Sequence, residues 1–315
     1  LLLHIGGTGA HLGGHLSIGD ALFAAAISLL VFFLGRRFAA RDELPPPAFV
    51  LVGFGLLNGV AGAATLAWVS HFPSWPWLYA VGSLMLYQGF VTLPILGVGT
   101  FLFPRFIGVP GPSVEASRWK FKASIAALTA VLIIGSFFAE ALGHLRAAGA
   151  IRFSVAFLYA VTQMPVVLKL GRAPLIGQCI RVAVWTLLLG LLWPVFLPGY
   201  RVTGLHVVFI GGFMLIVFAV ATRVILSHSG QVHLSRRPLS YLIIASILLL
   251  LGMLTRVGAD FMPLAEGRNV HLIYAAILCI GAGLAWGVRV MPRVLVPDLA
   301  EEEENVDAEE NGKSR

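Results

Sequence analysis

Residues 203–234 read TGLHVVFIGGFMLIVFAVATRVILSHSGQVHL. No charged side chain occurs from Val207 to Thr222, and an apolar run of roughly 20 residues is what an α-helix needs to cross about 30 Å of hydrocarbon. The run opens on His206, holds the pair Gly211 and Gly212, carries Arg223 near its end and closes in the polar cluster His228-Ser229-Gly230, with His233 beyond. Similar runs recur along the whole chain, near 17–35, 48–70, 77–103, 123–142, 151–170, 178–197, 203–226, 239–257 and 269–288. Nine runs with short connections predict an all-α fold, a polytopic transmembrane helix bundle of antiparallel neighbours.

Composition agrees with that class. Of 315 residues, 58% are hydrophobic and only 12% charged, and the mean hydropathy is +0.89, outside the range of soluble domains. A net charge of +7 would point to nucleic acid in a soluble chain, but topology accounts for it here. With connections assigned alternately to two sides, 17 of the 22 Lys and Arg fall on one side, Arg36, Arg118, Lys122, Arg223 and Arg236 among them. Arg146, Arg152, Arg201, Arg256 and Arg268 fall on the other. A miscounted span would scramble this asymmetry, so the basic side is read as cytoplasmic, with the C-terminus there and residue 1 outside. The lipid bilayer is thus an expected partner and nucleic acid is not.

Three regions follow. Residues 1–16 form an outer His- and Gly-rich segment or the end of a preceding span, 17–297 the bundle, and 298–315 a tail containing EEEENVDAEE. That tail is acidic and lacks aromatics, so disorder in the cytoplasm is expected. The chain opens on Leu1 rather than Met, which points to a longer or processed native chain. Cys179 and Cys279 both lie in apolar runs, so they are read as small buried hydrophobes, and no CxxCH for covalent haem attachment occurs. Pro94, Pro165 and Pro194 predict kinks or helix ends. The pairs Gly55/Gly59 and Gly211/Gly212 allow close approach of a helix or of a flat cofactor.

The nine histidines carry the chemical signal. By the same topology seven lie toward the outer side, and only His228 and His233 toward the cytoplasm. Ionisable groups in spans are functional suspects, and imidazole is a common haem and copper ligand. On a helix, His11 and His15 would each fall within about 20° of His4, a stripe suited to copper or another late first-row metal; a glycine-rich loop with incidental histidines is the competing reading. Glu140 and His144 are four apart near an outer helix end, where a carboxylate can orient a metal-binding imidazole or both can act as a polar cap. His71 sits with Trp75 and Trp77 in an interfacial aromatic turn. His206 and His271 each open a span and suit an axial haem ligand or an interfacial hydrogen bond. Asn58, Gln88 and Gln163 read as amides joining helices. At 1.5 Å per residue His206 and His228 are about 33 Å apart on one helix, so they cannot ligate one iron.

Taken together, residues 206–257 resemble the C-terminal signature of the NnrS family of bacterial membrane proteins: His206, the Gly211/Gly212 pair, Arg223-Val224, His228-Ser229-Gly230 and Arg256-Val257. LLLHIGG around His4 and PILGVGTFLFPRFIG resemble other parts of that family more loosely. Here Pro104 precedes Arg105, the reverse of the family order, and family members have about twelve spans with further N-terminal histidines, so the chain is read as shortened or divergent. The resemblance implies an inner-membrane protein that binds haem b and copper and takes part in the nitric oxide response or detoxification; it assigns no reaction. It matches His206, His228, Arg223 and His4 to motif positions, with Arg223 placed to snorkel or to pair with a propionate or another anion. The other readings are a cytochrome b-like or structural subunit of a respiratory complex, meeting a periplasmic electron donor, and a small-molecule or metal transporter. Scarce mid-span charge and the lack of a visible inverted repeat lower the transporter reading.

Overall fold

The computed structural model describes residues 16–41, 44–70, 74–111, 116–169 and 171–294. His4, His11, His15, His71 and the acidic tail lie outside the described residues. Within them every regular element is helical, and nine helices are long and apolar enough to cross a membrane. They are α1 (Leu16–Ala39), α2 (Phe49–Val69), α3 (Pro76–Ile107), α4 (Ala116–Ala141), α5 (Leu145–Gln163), α6 (Leu175–Phe196), α7 (Pro198–His228), α8 (Ser240–Ala259) and α9 (Ala265–Val294).

All nine expected spans are present, most of them longer than their apolar runs. The hydropathy pattern stops at the first charge, whereas the helix continues past it: α4 begins at Ala116, before Arg118, Lys120 and Lys122, whose long stems can lie along the helix while their charges reach water. The expected span 151–170 is displaced to Leu145–Gln163 because Met164, non-helical before Pro165, ends the helix early, and Pro165–Leu168 forms a separate helical turn. Large side chains such as Phe32, Leu284 and Val288 are more than 60% exposed, the pattern of a lipid-facing surface.

Two compact units can be distinguished, and each is described by itself. The first comprises residues 1–104, 110–165 and 192–199, the second 105–109, 166–191 and 200–315. In the first, α2 lies along α3 on a face of small residues. A methyl group on Gly62 would sit 2.6 Å from Leu86 N and 2.8 Å from Gly82 O, and one on Gly59 would meet the Phe90 ring at 2.7 Å. In the second, α6 meets α7 in the same register: a methyl group on Gly190 would sit 2.8 Å from both Gly204 O and Val208 N, and Gly212 faces Leu187. Gly55 and Gly211 likewise abut Pro94 and Met253. Helices, rather than a flat cofactor, thus fill the close approaches offered by both glycine pairs.

The parallel goes further. α3 and α7 each begin on a proline, and each contains a π-helical segment that starts nine residues later, Met85–Gly89 and Val207–Met214. With α2 and α6 before them and the hairpins α4–α5 and α8–α9 after them, the two groups have the same helix order and the same glycine register. The two groups thus repeat one pattern of elements along the chain.

Candidate functional site

Three helix ends of the second unit meet around one carboxylate. Asp260, just beyond α8, receives a hydrogen bond from the Thr203 hydroxyl of α7 at 2.5 Å. It also pairs with Arg256 one turn back on α8 at 2.9 Å, and with Arg268 of α9 at 3.9 Å. Burial raises its pKa, but the Thr203 hydroxyl and the two guanidiniums outweigh that and hold the carboxyl below its ordinary value. Tyr200 stacks on Phe261 with centroids 4.8 Å apart, closing the same end.

Two histidines stand in this region. Half-buried His206 has its Nδ1 2.8 Å from the Val202 carbonyl, one turn earlier, and feels the charges of Arg256 and Asp260. His271 repeats the arrangement on α9, with Nδ1 2.8 Å from the Gly267 carbonyl. A carbonyl only accepts, so each neutral ring carries its proton on Nδ1 and leaves the Nε2 lone pair for a ligand. The His271 ring lies beside Gly258, whose absent side chain keeps a groove of about 590 Å³ open between α8 and α9, lined also by Thr255 and Tyr274. Both histidines therefore have the tautomer that an axial metal ligand needs.

The opposite end of α7 is built differently. Gly230, at φ +68°, ends the helix: Gln231 N donates to Leu226 O at 2.8 Å and Gly230 N to Ser227 O at 3.2 Å, the paired bonds of a Schellman cap. The polar His-Ser-Gly sequence thus stops the helix. His228 is exposed there, and Arg223, one turn earlier, has a buried Nη1 that finds no hydrogen-bond partner among the described residues. The continuous α7 keeps His206 and His228 about 33 Å apart at helical rise, far too distant for one iron.

In the first unit the structure gives Glu140 a partner that the sequence reading did not foresee. Arg152, counted there among outer basic residues near a span end, lies two turns inside α5 and is only 1% exposed. Its Nη2 pairs with Glu140 Oε2 at 2.6 Å, its Nη1 donates to Gln88 Oε1 at 2.5 Å and its Nε to Ser136 Oγ at 3.0 Å. The π-helical segment carries Gln88 to this point. α4 ends at Ala141 and Gly143 adopts φ +93°, so Glu140 and exposed His144 do not share a helical turn. Among the described residues no group of three His, Cys, Asp or Glu side chains could hold a metal ion. Gln88 does join helices, whereas Asn58 bonds to Phe54 O of its own helix and Gln163 to neighbouring Thr162. The cysteines are free; Cys179 is buried and Cys279 half-buried.

Asp260 is the group that sequence reasoning missed. Its signal was present as an arginine–aspartate pair four apart, Arg256 and Asp260, with Arg268 in the next turn of chain.

Nine membrane-length helices, with a polar cluster bearing two histidines at one end of the second unit, define a multi-pass helical membrane protein. The sequence model described as NnrS protein matches residues 2–297, nearly the whole chain, and the chain belongs to the NnrS family. No curated protein and no solved structure matches it.

Proposed function

We propose that this protein binds haem in the bacterial cytoplasmic membrane and serves the response to nitric oxide or its detoxification. The observation that carries the reading is the matched state of His206 and His271, each fixed by an i−4 carbonyl with Nε2 left available. Family membership supplies the nitric oxide setting. Haem, held through His206 or His271, would supply a redox-active iron able to bind small diatomic ligands. Arg268, more than half exposed beside Asp260, is the nearby cation for a propionate. Asp260, shared between Thr203, Arg256 and Arg268, keeps the three helix ends in register. At the other end Arg223 is the candidate partner for an anionic group of a second site with His228. Copper is assigned to His4, His11 and His15, with His144 and Glu140 as further candidates; Glu140 is already engaged by Arg152, which leaves the first three and His144 as the stronger donors.

The test is an absorption spectrum of the detergent-solubilised full chain with metal analysis, after haem reconstitution. A Soret band is expected, diminished by His206→Ala or His271→Ala and retained in His233→Ala. A helical, monodisperse preparation with no Soret band overturns the haem reading, and equal retention in all three variants overturns the outer site.

A further inference from the structure

We propose that the first unit holds a phospholipid with an anionic headgroup in a pocket between α3, α4 and α5, apart from the histidine cluster. The pocket has a volume of about 350 Å³, within the range of small-molecule sites. Its polar wall is formed by Arg118 and Lys122, one turn apart on α4, by Thr100 of α3, and by Tyr159, Thr162 and Gln163 of α5. Phe121 and Ile125 continue from that wall as an apolar lining. Two cations and several hydroxyls above a hydrophobic wall recognise a phosphate attached to an acyl chain, whereas a free inorganic anion would gain nothing from the apolar half.

Three observations sharpen the assignment. Tyr159 is 4% exposed, yet its hydroxyl has only a long contact, 3.4 Å to Thr100 Oγ1, whose own proton is directed at Leu96 O at 2.9 Å. A buried hydroxyl so weakly satisfied is available to a phosphate oxygen. Phe121 is 69% exposed at the pocket edge, so the apolar wall continues onto the lipid-facing surface. Finally, the repeat provides an internal comparison. In the second unit Thr222 stands where Thr100 stands in the first, and its hydroxyl accepts from the Trp286 indole at 2.9 Å while Trp286 stacks on Phe218. A tryptophan takes the place that Tyr159 leaves unfilled. The Trp119 indole, bonded to Pro45 O at 2.7 Å, holds the loop bearing Pro46 and Pro47 against the start of α4 and keeps the pocket walled. The charge asymmetry of the chain puts this end in the cytoplasmic leaflet.

Native mass spectrometry of the full chain, released from micelles holding equal amounts of phosphatidylglycerol and phosphatidylcholine, tests the proposal. One phosphatidylglycerol is expected to be retained in preference to phosphatidylcholine. Lys122→Gln should lower retention roughly tenfold, the effect of losing one charge-assisted hydrogen bond. Lys122→Arg should keep it, and Lys120→Gln, an exposed lysine on the same helix outside the pocket, should leave it unchanged. Tyr159→Phe removes a single oxygen and should weaken retention even if Lys122→Gln fails to fold. Equal retention of the two lipids, an equal loss in Lys120→Gln, or displacement of the lipid by millimolar inorganic phosphate would each overturn the assignment.

Discussion

Replacing Arg152 with methionine tests the central packing argument of the first unit. The guanidinium is almost completely enclosed, and its three donating nitrogens reach Glu140, Gln88 and Ser136 while the Phe137 ring lies 5.1 Å away. Methionine fills much of the volume but takes the Arg152 guanidinium away from the buried Glu140 carboxylate, whose side chain is 4% exposed. Breaking one side of such a pair costs about 3–5 kcal/mol. Glu140→Gln alone leaves Arg152 charged but still bonded to Gln88 and Ser136, and should cost less. In Arg152→Met/Glu140→Gln the buried carboxylate charge that lost its guanidinium is gone as well, so the double variant should be more stable than Arg152→Met, with a coupling of about 2 kcal/mol or more. Reversible unfolding in mixed micelles, followed by helical circular dichroism, measures all four corners of the cycle. Strict additivity, within about 0.5 kcal/mol, would refute the claim that the two residues act as a pair.

Three further outcomes are expected. Because the Asp260 carboxyl titrates below its ordinary value in the folded chain, its contribution to stability is complete above the unfolded value of about 3.9 and is lost as pH falls through the lowered folded value; Asp260→Asn should flatten the fall of the unfolding midpoint in that acid window, and an unchanged slope would contradict it. Gly62→Ala should destabilise by about 1–3 kcal/mol through the clash with Leu86 N and Gly82 O, whereas Gly53→Ala, which meets nothing within 4 Å, should be neutral or mildly stabilising; thermal unfolding in detergent separates the two. Gly230→Ala should cost about 1 kcal/mol by the same measurement, since a β-carbon disfavours the left-handed cap.

The number and order of the spans were legible because lipid imposes a simple rule on sequence: a helix must be apolar for its full crossing. Their ends were less so, since Arg118, Lys120 and Lys122 extend a helix as readily as they stop it. The π-helical segments leave no periodic mark, and without them Gln88 cannot be aimed at Arg152. That network escaped detection for another reason. Its members lie 64 and 12 residues apart and are joined only by the packing of α3, α4 and α5. The placement of His206 and His271 near helix ends was readable, but the carbonyls that set their tautomers belong to backbone geometry. The His-Ser-Gly motif was recognised as distinctive, and its local role as a helix stop emerged once Gly230 was seen at positive φ.

The repeated helix order shows how loosely architecture constrains polar chemistry. The same order of four helices can enclose different polar groups, and the two units differ in theirs. One has sealed an arginine and a glutamate in its interior, fully bonded and closed to exchange. The other gathers its charges at a helix end, beside two imidazoles with open lone pairs. One helix order thus serves in one unit as a closed polar frame and in the other as a helix end with nitrogen donors left open.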